Sequence, residues 1–189
     1  MFRKIFISAL LVMVLGQFTL SAAPKGLIQT QLKAEKGDVK AQLWLGKSWF
    51  NRANDLYKFL ERKKQGKLTA ETRKEMNIKA KELIVAGKNA FKWSSMAAKQ
   101  NNPEGMYVLG LCYFHGFGVS KNSKMTVSLF QKADQLGHIP ATRDLAYCYL
   151  KGEGVEENLT EAINLYRKAA AKGDKQSKLR LKNLGVEEK

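Results

Sequence analysis

Gly110-Leu-Cys-Tyr-Phe-His-Gly-Phe-Gly-Val119 lies over Ala146-Tyr-Cys-Tyr-Leu-Lys-Gly-Glu-Gly-Val155 at an offset of 36 residues. The same offset pairs Leu109 with Leu145, Phe130 with Tyr166, Lys132 with Lys168, Ala133 with Ala169 and Gly137 with Gly173. An offset of 72 pairs Ala90 with Ala162, Trp93 with Leu165, Ala97 with Ala169 and Ala98 with Ala170. At the start of the earliest copy the offset widens to 64, setting Ala41-Gln-Leu-Trp-Leu-Gly46 against Gly105-Met-Tyr-Val-Leu-Gly110. Some 28 extra residues therefore interrupt that copy. Self-similarity at a fixed period of a few tens of residues is the mark of stacked structural units.

Each unit reads as two helices. Val108, Leu109, Cys112 and Tyr113 fall at helical spacing, and Gly116-Phe-Gly118 breaks the run. Ser123 suits an N-cap before Val127, Phe130 and Ala133, and Leu136-Gly137 ends the second helix. In the next unit Asn158 or Thr160 caps a helix through Ala162, Leu165 and Tyr166. Gly116, Gly118, Gly152 and Gly154 suit positive φ in the turn, whereas Gly46 and Gly110, inside helices, let a neighbour approach. One such hairpin cannot bury its apolar face alone, so the predicted fold is all-α: an α-solenoid of stacked αα-hairpins.

The pattern A-x-x-x-L-G-x-x-Y-x-x-G-x-G-V, then A-x-x-W-Y-x-K-A-A-x-x-G, resembles the Sel-1-like repeat family of tetratricopeptide-type solenoids. It is matched at Leu109, Gly110, Tyr113, Gly116, Gly118 and Val119. It is matched again at Leu145, Tyr149, Gly152, Gly154, Val155, Ala162, Tyr166, Lys168, Ala169, Ala170 and Gly173. Ala146 departs from the helix glycine, and Asn101 from the closing glycine. The organisation that follows is a capping helix over 24–37, a first repeat with its insertion over 38–102, repeats at 103–138 and 139–174, and a capping helix and tail over 175–189. The resemblance implies a protein-interaction scaffold or adaptor without a cofactor. Cysteine-rich members of the family are described as β-lactamases or penicillin binders, which supplies an alternative reading.

Residues 1–23 have the build of a secretory signal peptide: Arg3 and Lys4, an apolar run from Ile5 to Leu15, and a small-residue exit at Ser21-Ala-Ala23. The apolar run stops at Gly16-Gln17, short of the roughly 20 residues a bilayer requires. Cleavage after Ser21, Ala22 or Ala23, and a periplasmic or secreted product with no stable membrane span, are the expectations. The full chain of 189 residues carries 33 Lys+Arg against 17 Asp+Glu. Residues 47–89 alone hold twelve basic and five acidic residues, +7 of the +14 left after residue 23. Export removes nucleic acid from the expected partners, and the charge reads as local.

That charge sits on the insertion. Trp49, Phe50, Ala53, Leu56, Tyr57 and Leu60 prolong the first helix, and Thr69, or Thr72 with Glu75 as a capping box, opens the second. The predicted hairpin projects beyond its neighbours with a basic tip at Arg62, Lys63, Lys64 and Lys67. A solvated polar face accounts for such a tip, and so does a dock for an acidic protein or an anionic envelope surface.

Few residues invite chemistry. His115 is expected in an interhelix turn and His138 just past a helix end, both places that differ between repeats. Cys112 and Cys148 hold one equivalent helix position and read as buried small apolar residues. No S-x-x-K with S-D-N and K-T-G set is present, and no P-loop, dinucleotide fingerprint or HExxH. No catalytic residue, metal or cofactor is expected. The candidate site is a surface: positions two and six after the opening small residue of each unit, Leu43 and Lys47, Tyr107 and Leu111, Arg143 and Tyr147. These are expected to line the concave face as a ladder for a protein or peptide partner, though neighbouring helices would bury several of them in part.

Overall fold

A computed structural model describes residues 25–65 and 69–186. The signal-peptide reading at 1–23, Lys67 of the basic tip and the last three residues lie outside the described residues. Among the described residues there are eight helices and no strand: α1 Lys25–Glu35, α2 Val39–Lys64, α3 Ala70–Lys99, α4 Pro103–His115, α5 Ser123–Gln135, α6 Ile139–Lys151, α7 Leu159–Ala171 and α8 Lys175–Asn183. Each helix packs on its neighbours along the chain, and α2 also meets α4. This is the all-α solenoid that the repeat predicts.

The register of the hairpins is written into their caps. The first helices open on Asp38, Asn102, His138 and Asp174, whose side chains accept the N–H groups of Ala41, Gly105, Ala141 and Ser177. The second helices open on Thr69, Asn122 and Asn158. Each such cap contributes about 1 kcal/mol. The cap of α5 is Asn122, not Ser123: Asn122 has extended backbone and its Oδ1 accepts the Met125 N–H at 3.0 Å, while Ser123 is already helical. Position 101, just past α3, needs a left-handed backbone; Asn101 takes φ +57 where Gly137 and Gly173 take +80 and +90. Asparagine is among the few residues that tolerate this conformation, so the departure from glycine leaves the turn intact.

Gly118 and Gly154 carry the tightest demand. Both have positive φ, +74 and +79, and both press on the preceding hairpin. A Cβ on Gly118 would overlap Gly87 and Lys88 of α3, and one on Gly154 would overlap Ser123 of α5. Gly87 and Ser123 stand 36 residues apart, so the same joint recurs at each step of the stack.

The first hairpin is long, with 26 residues in α2 and 30 in α3. Its core runs through Trp49, Ala53 and Leu56 of α2 and Ala86, Ala90 and Trp93 of α3, and is closed by Cys112 and Phe117 of the following repeat. A second cluster gathers Met106, Phe130, Leu145, Tyr166 and Leu181 from the shorter hairpins and α8. Cys112 and Cys148 are unpaired and buried, one in each cluster. Burial pushes both thiols up to about 12, which leaves them protonated small apolar residues at neutral pH.

His115 is not in a turn. It is the last residue of α4, stacked on Phe117 at 5.1 Å between ring centroids and flanked by Phe50 and Tyr57 of α2. The helix continues to Gly116 before the chain turns left-handed, and the long α2 then supplies the rings that cover the imidazole.

Candidate functional site

The six residues singled out along the first helices lie in one row over α2, α4 and α6. Lys47 is exposed, whereas Leu43, Tyr107, Leu111, Arg143 and Tyr147 are half-buried. Contacts between successive hairpins hold three of them, Lys47, Tyr107 and Arg143. Lys47 pairs with Glu104 at the start of α4. Tyr107 donates its hydroxyl to Asp144 Oδ2 at 2.8 Å, and its ring packs on His138 at 4.8 Å and Phe130 at 5.5 Å. Arg143 donates to Asp144 Oδ1 at 2.9 Å and to Asp174 Oδ2 at 3.2 Å, tying α6 to the cap of α8. Three polar links thus run from α2 to α8 along the row.

Burial shapes the chemistry of these groups. The Tyr107 phenol is raised well above its ordinary range by burial and by the Asp144 carboxylate, so it acts as a hydrogen-bond donor. Burial also holds His138 below its ordinary value. That suits its task, because the imidazole Nδ1 accepts the Ala141 N–H at 3.3 Å and must be neutral to do so.

The row therefore has two kinds of member. Lys47, Tyr107 and Arg143 spend their polar atoms on other parts of the chain. Leu43, Leu111 and Tyr147 show part of their surface without such a bond, and Trp44, 39% exposed, stands beside Leu43. The acidic partners Glu104, Asp144 and Asp174 were not singled out in the sequence. Their signal was weak, since each lies one or more positions off the predicted row and only the spacing between hairpins brings them onto it.

The basic tip is partly neutralised. Lys64 pairs with Glu61 at 2.7 Å, Lys63 lies 3.8 Å from Glu75, and Arg62 donates to the Lys58 carbonyl at 3.3 Å. Among the described residues no group of three or more His, Cys, Asp or Glu is arranged to hold a metal ion. No helix among them is long and apolar enough to cross a membrane.

The sequence profile of the family described as "Sel1 repeat" matches residues 87–102, 103–138 and 139–174. No curated protein matches the sequence. Among solved structures the chain is similar to a Sel1 repeat protein from Oxalobacter formigenes, with 26% identity, a TM-score of 0.57, and coverage of 85% of this chain and 99% of that one. It is also similar to cysteine rich protein B of Helicobacter pylori (27% identity, TM-score 0.45, 47% of this chain and 66% of that one). A protective antigen of uropathogenic Escherichia coli displaying an SLR fold matches at 25% identity and a TM-score of 0.49, over 86% of this chain and 45% of that one. The last two superpose too loosely to bear on function.

Proposed function

Residues 87–174 make this chain a member of the Sel1 repeat family of α-solenoids, and from that premise we propose that it is an exported, non-enzymatic scaffold that binds a protein or peptide along the first-helix row. Sel1 repeat proteins are typically protein-interaction scaffolds. The observation that carries the reading is the division of labour in the row. Cross-repeat links through Lys47, Tyr107 and Arg143 fix the spacing of α2, α4 and α6. On that fixed frame Leu43, Trp44, Leu111 and Tyr147 present apolar and aromatic surface at regular intervals, which is the composition that protein interfaces favour. Export is supported by Arg3 and Lys4 ahead of the apolar run Ile5 to Leu15.

Photo-crosslinking in intact cells tests this. A crosslinkable residue at Leu43 or Tyr147 is expected to give one discrete adduct, which the same residue at exposed Asn164 of α7 does not give. Adducts that are absent, or equal from both places, overturn the row as a binding face. Nitrocefin turnover by the purified chain would overturn the non-enzymatic part.

A further inference from the structure

The outer face of α3 carries a line of lysines, none of them in an ion pair among the described residues, although Lys92 also sets its ammonium 4.4 Å from the centroid of the Trp93 ring. At about 100° per residue, Lys74, Lys81, Lys88, Lys92 and Lys99 fall within roughly 40° of one another round the helix axis, over a length of about 37 Å. All five are exposed. No acidic residue shares this face. Glu71, Glu75 and Glu82 lie about a quarter to a third of a turn away, and two of them are taken up within the hairpin. Glu82 binds Arg52 at 2.6 Å and Lys79 at 3.2 Å, and Glu75 faces Lys63. Five like charges along one line repel one another and attract counterions. A face that serves solubility alone interleaves both signs and gains from pairs three or four residues apart.

The line belongs to the first hairpin only. At the positions 36 and 72 residues beyond Lys88, Lys92 and Lys99 stand Lys124, Ser128 and Gln135, then Thr160, Asn164 and Ala171. Packing of the repeat therefore does not require the lysines. Two large apolar side chains flank them, Ile78 at 52% exposure on one side and Ile84 at 57% on the other.

From this arrangement we propose that the outer face of α3 is a docking surface for an anionic lipid bilayer. A single helix of 30 residues carries all five lysines, so one planar surface can meet them together. Lysine, a compact and strongly hydrated point charge, suits diffuse attraction to head groups, and no arginine stands in the line for forked recognition of a particular anion. Isoleucine on both flanks gains by entering the boundary between head groups and acyl chains, and gains nothing from a soluble polyanion. The inference is independent of the first-helix row: the solenoid could bind a protein along one face and rest on a membrane by the other.

The test is flotation of the full-length chain with vesicles of equal parts phosphatidylglycerol and phosphatidylcholine. Vesicles of phosphatidylcholine alone register what the apolar residues 5–15 contribute. The triple variant Lys74→Gln, Lys81→Gln and Lys88→Gln removes three charges from the line. Arg62→Gln, Lys63→Gln and Lys64→Gln remove three from the tip. Surface attraction worth about fivefold per lysine predicts a loss on the order of 100-fold for the first triple, reversible by salt in the parent, and a much smaller loss for the second. Equal losses would show a response to net charge alone and overturn the proposal, as would no preference of the parent for the anionic vesicles. Replacing Ile78 and Ile84 by serine is expected to weaken vesicle binding and leave any binding to soluble polyglutamate unchanged. Vesicle binding indifferent to the isoleucines, with polyglutamate bound as tightly, would assign the face to an acidic polymer instead. The substituted residues are exposed, apart from the partly exposed Lys63, and a thermal melt of each variant matching the parent ties the losses to the surface.

Discussion

The long hairpin α2–α3 and the short hairpins α4–α5 and α6–α7 answer the same repeat in different ways. In the short ones the chain reverses through a Gly-x-Gly turn, and an asparagine in the turn donates its N–H to the tyrosine carbonyl of the first helix: Asn122 to Tyr113 at 3.0 Å, Asn158 to Tyr149 at 2.9 Å. In the long one both helices run on past that point. The stack still joins at the same register, because Gly118 seats against Gly87 as Gly154 seats against Ser123. The repeat is thus preserved by contact at the joint, and the length of the hairpin beyond it is free to vary. What lies beyond Gly87 and Phe50 packs, among the described residues, on the other helix of its own hairpin, with the rings of His115 and Phe117 set against Phe50 and Tyr57.

Four substitutions, in three tests, press on this difference. The largest effect is expected from Phe117→Ala, which empties a buried aromatic site where the long hairpin meets the stack. It should cost about 3–5 kcal/mol in urea unfolding. It should also raise hydrogen exchange in α2 and the first half of α3 more than in α6 and α7; uniform loss of protection would show that the long hairpin is not a separate unit.

Next comes Gly154→Ala, set against Gly152→Ala. Both glycines have positive φ, but a Cβ on Gly152 meets nothing closer than 3.6 Å, while one on Gly154 overlaps the Ser123 backbone. The left-handed conformation alone costs about 1–2 kcal/mol, so Gly152→Ala should stay in that range and Gly154→Ala should exceed it. Equal destabilisation, read from urea midpoints, would remove close approach as the reason for the second glycine.

The smallest effect is one of pH. Burial, followed by Lys121 and Lys58, lowers the pKa of His115; burial is also the chief cause at His138. A lowered folded value means that the unfolded chain takes up the proton first. Stability is therefore full above about pH 6.5, the ordinary histidine value, and declines as pH falls through the folded values. His138→Asn keeps a side-chain acceptor at the cap and should flatten part of that slope. A slope unchanged in His138→Asn would place the whole effect at His115 and the carboxylates.

Much of this was legible from the chain alone. The two G-x-G-V turns, the closing Gly137 and Gly173, and the opening Asn158 and Thr69 are local signals that set where helices begin and end. The misplaced details were local too: Asn122 won its cap from Ser123, and His115 stayed helical, while of the two threonines offered for α3 it is Thr69 that caps. Each turned on a shift of a few residues at a helix end, where alternative caps differ little in energy. The binding row was legible as positions but not as a state. Its half-buried Tyr107 and Arg143 are held by Asp144 and Asp174, whose approach depends on how closely α4, α6 and α8 are stacked.

By itself the sequence determined the hairpin register and the family, because periodicity, caps and positive-φ glycines act over a few residues along the chain. Only the tertiary structure decided which charges are left over. The sequence placed the basic surplus at Arg62, Lys63, Lys64 and Lys67; Glu61 meets Lys64 within α2 itself, but it is the packing of α2 on α3 that brings Glu75 to Lys63 and Glu82 to Arg52. The uncompensated charge then lies along α3, on Lys74, Lys81 and Lys88. Ion pairing depends on distance through space, and that distance exists only once the two helices are side by side.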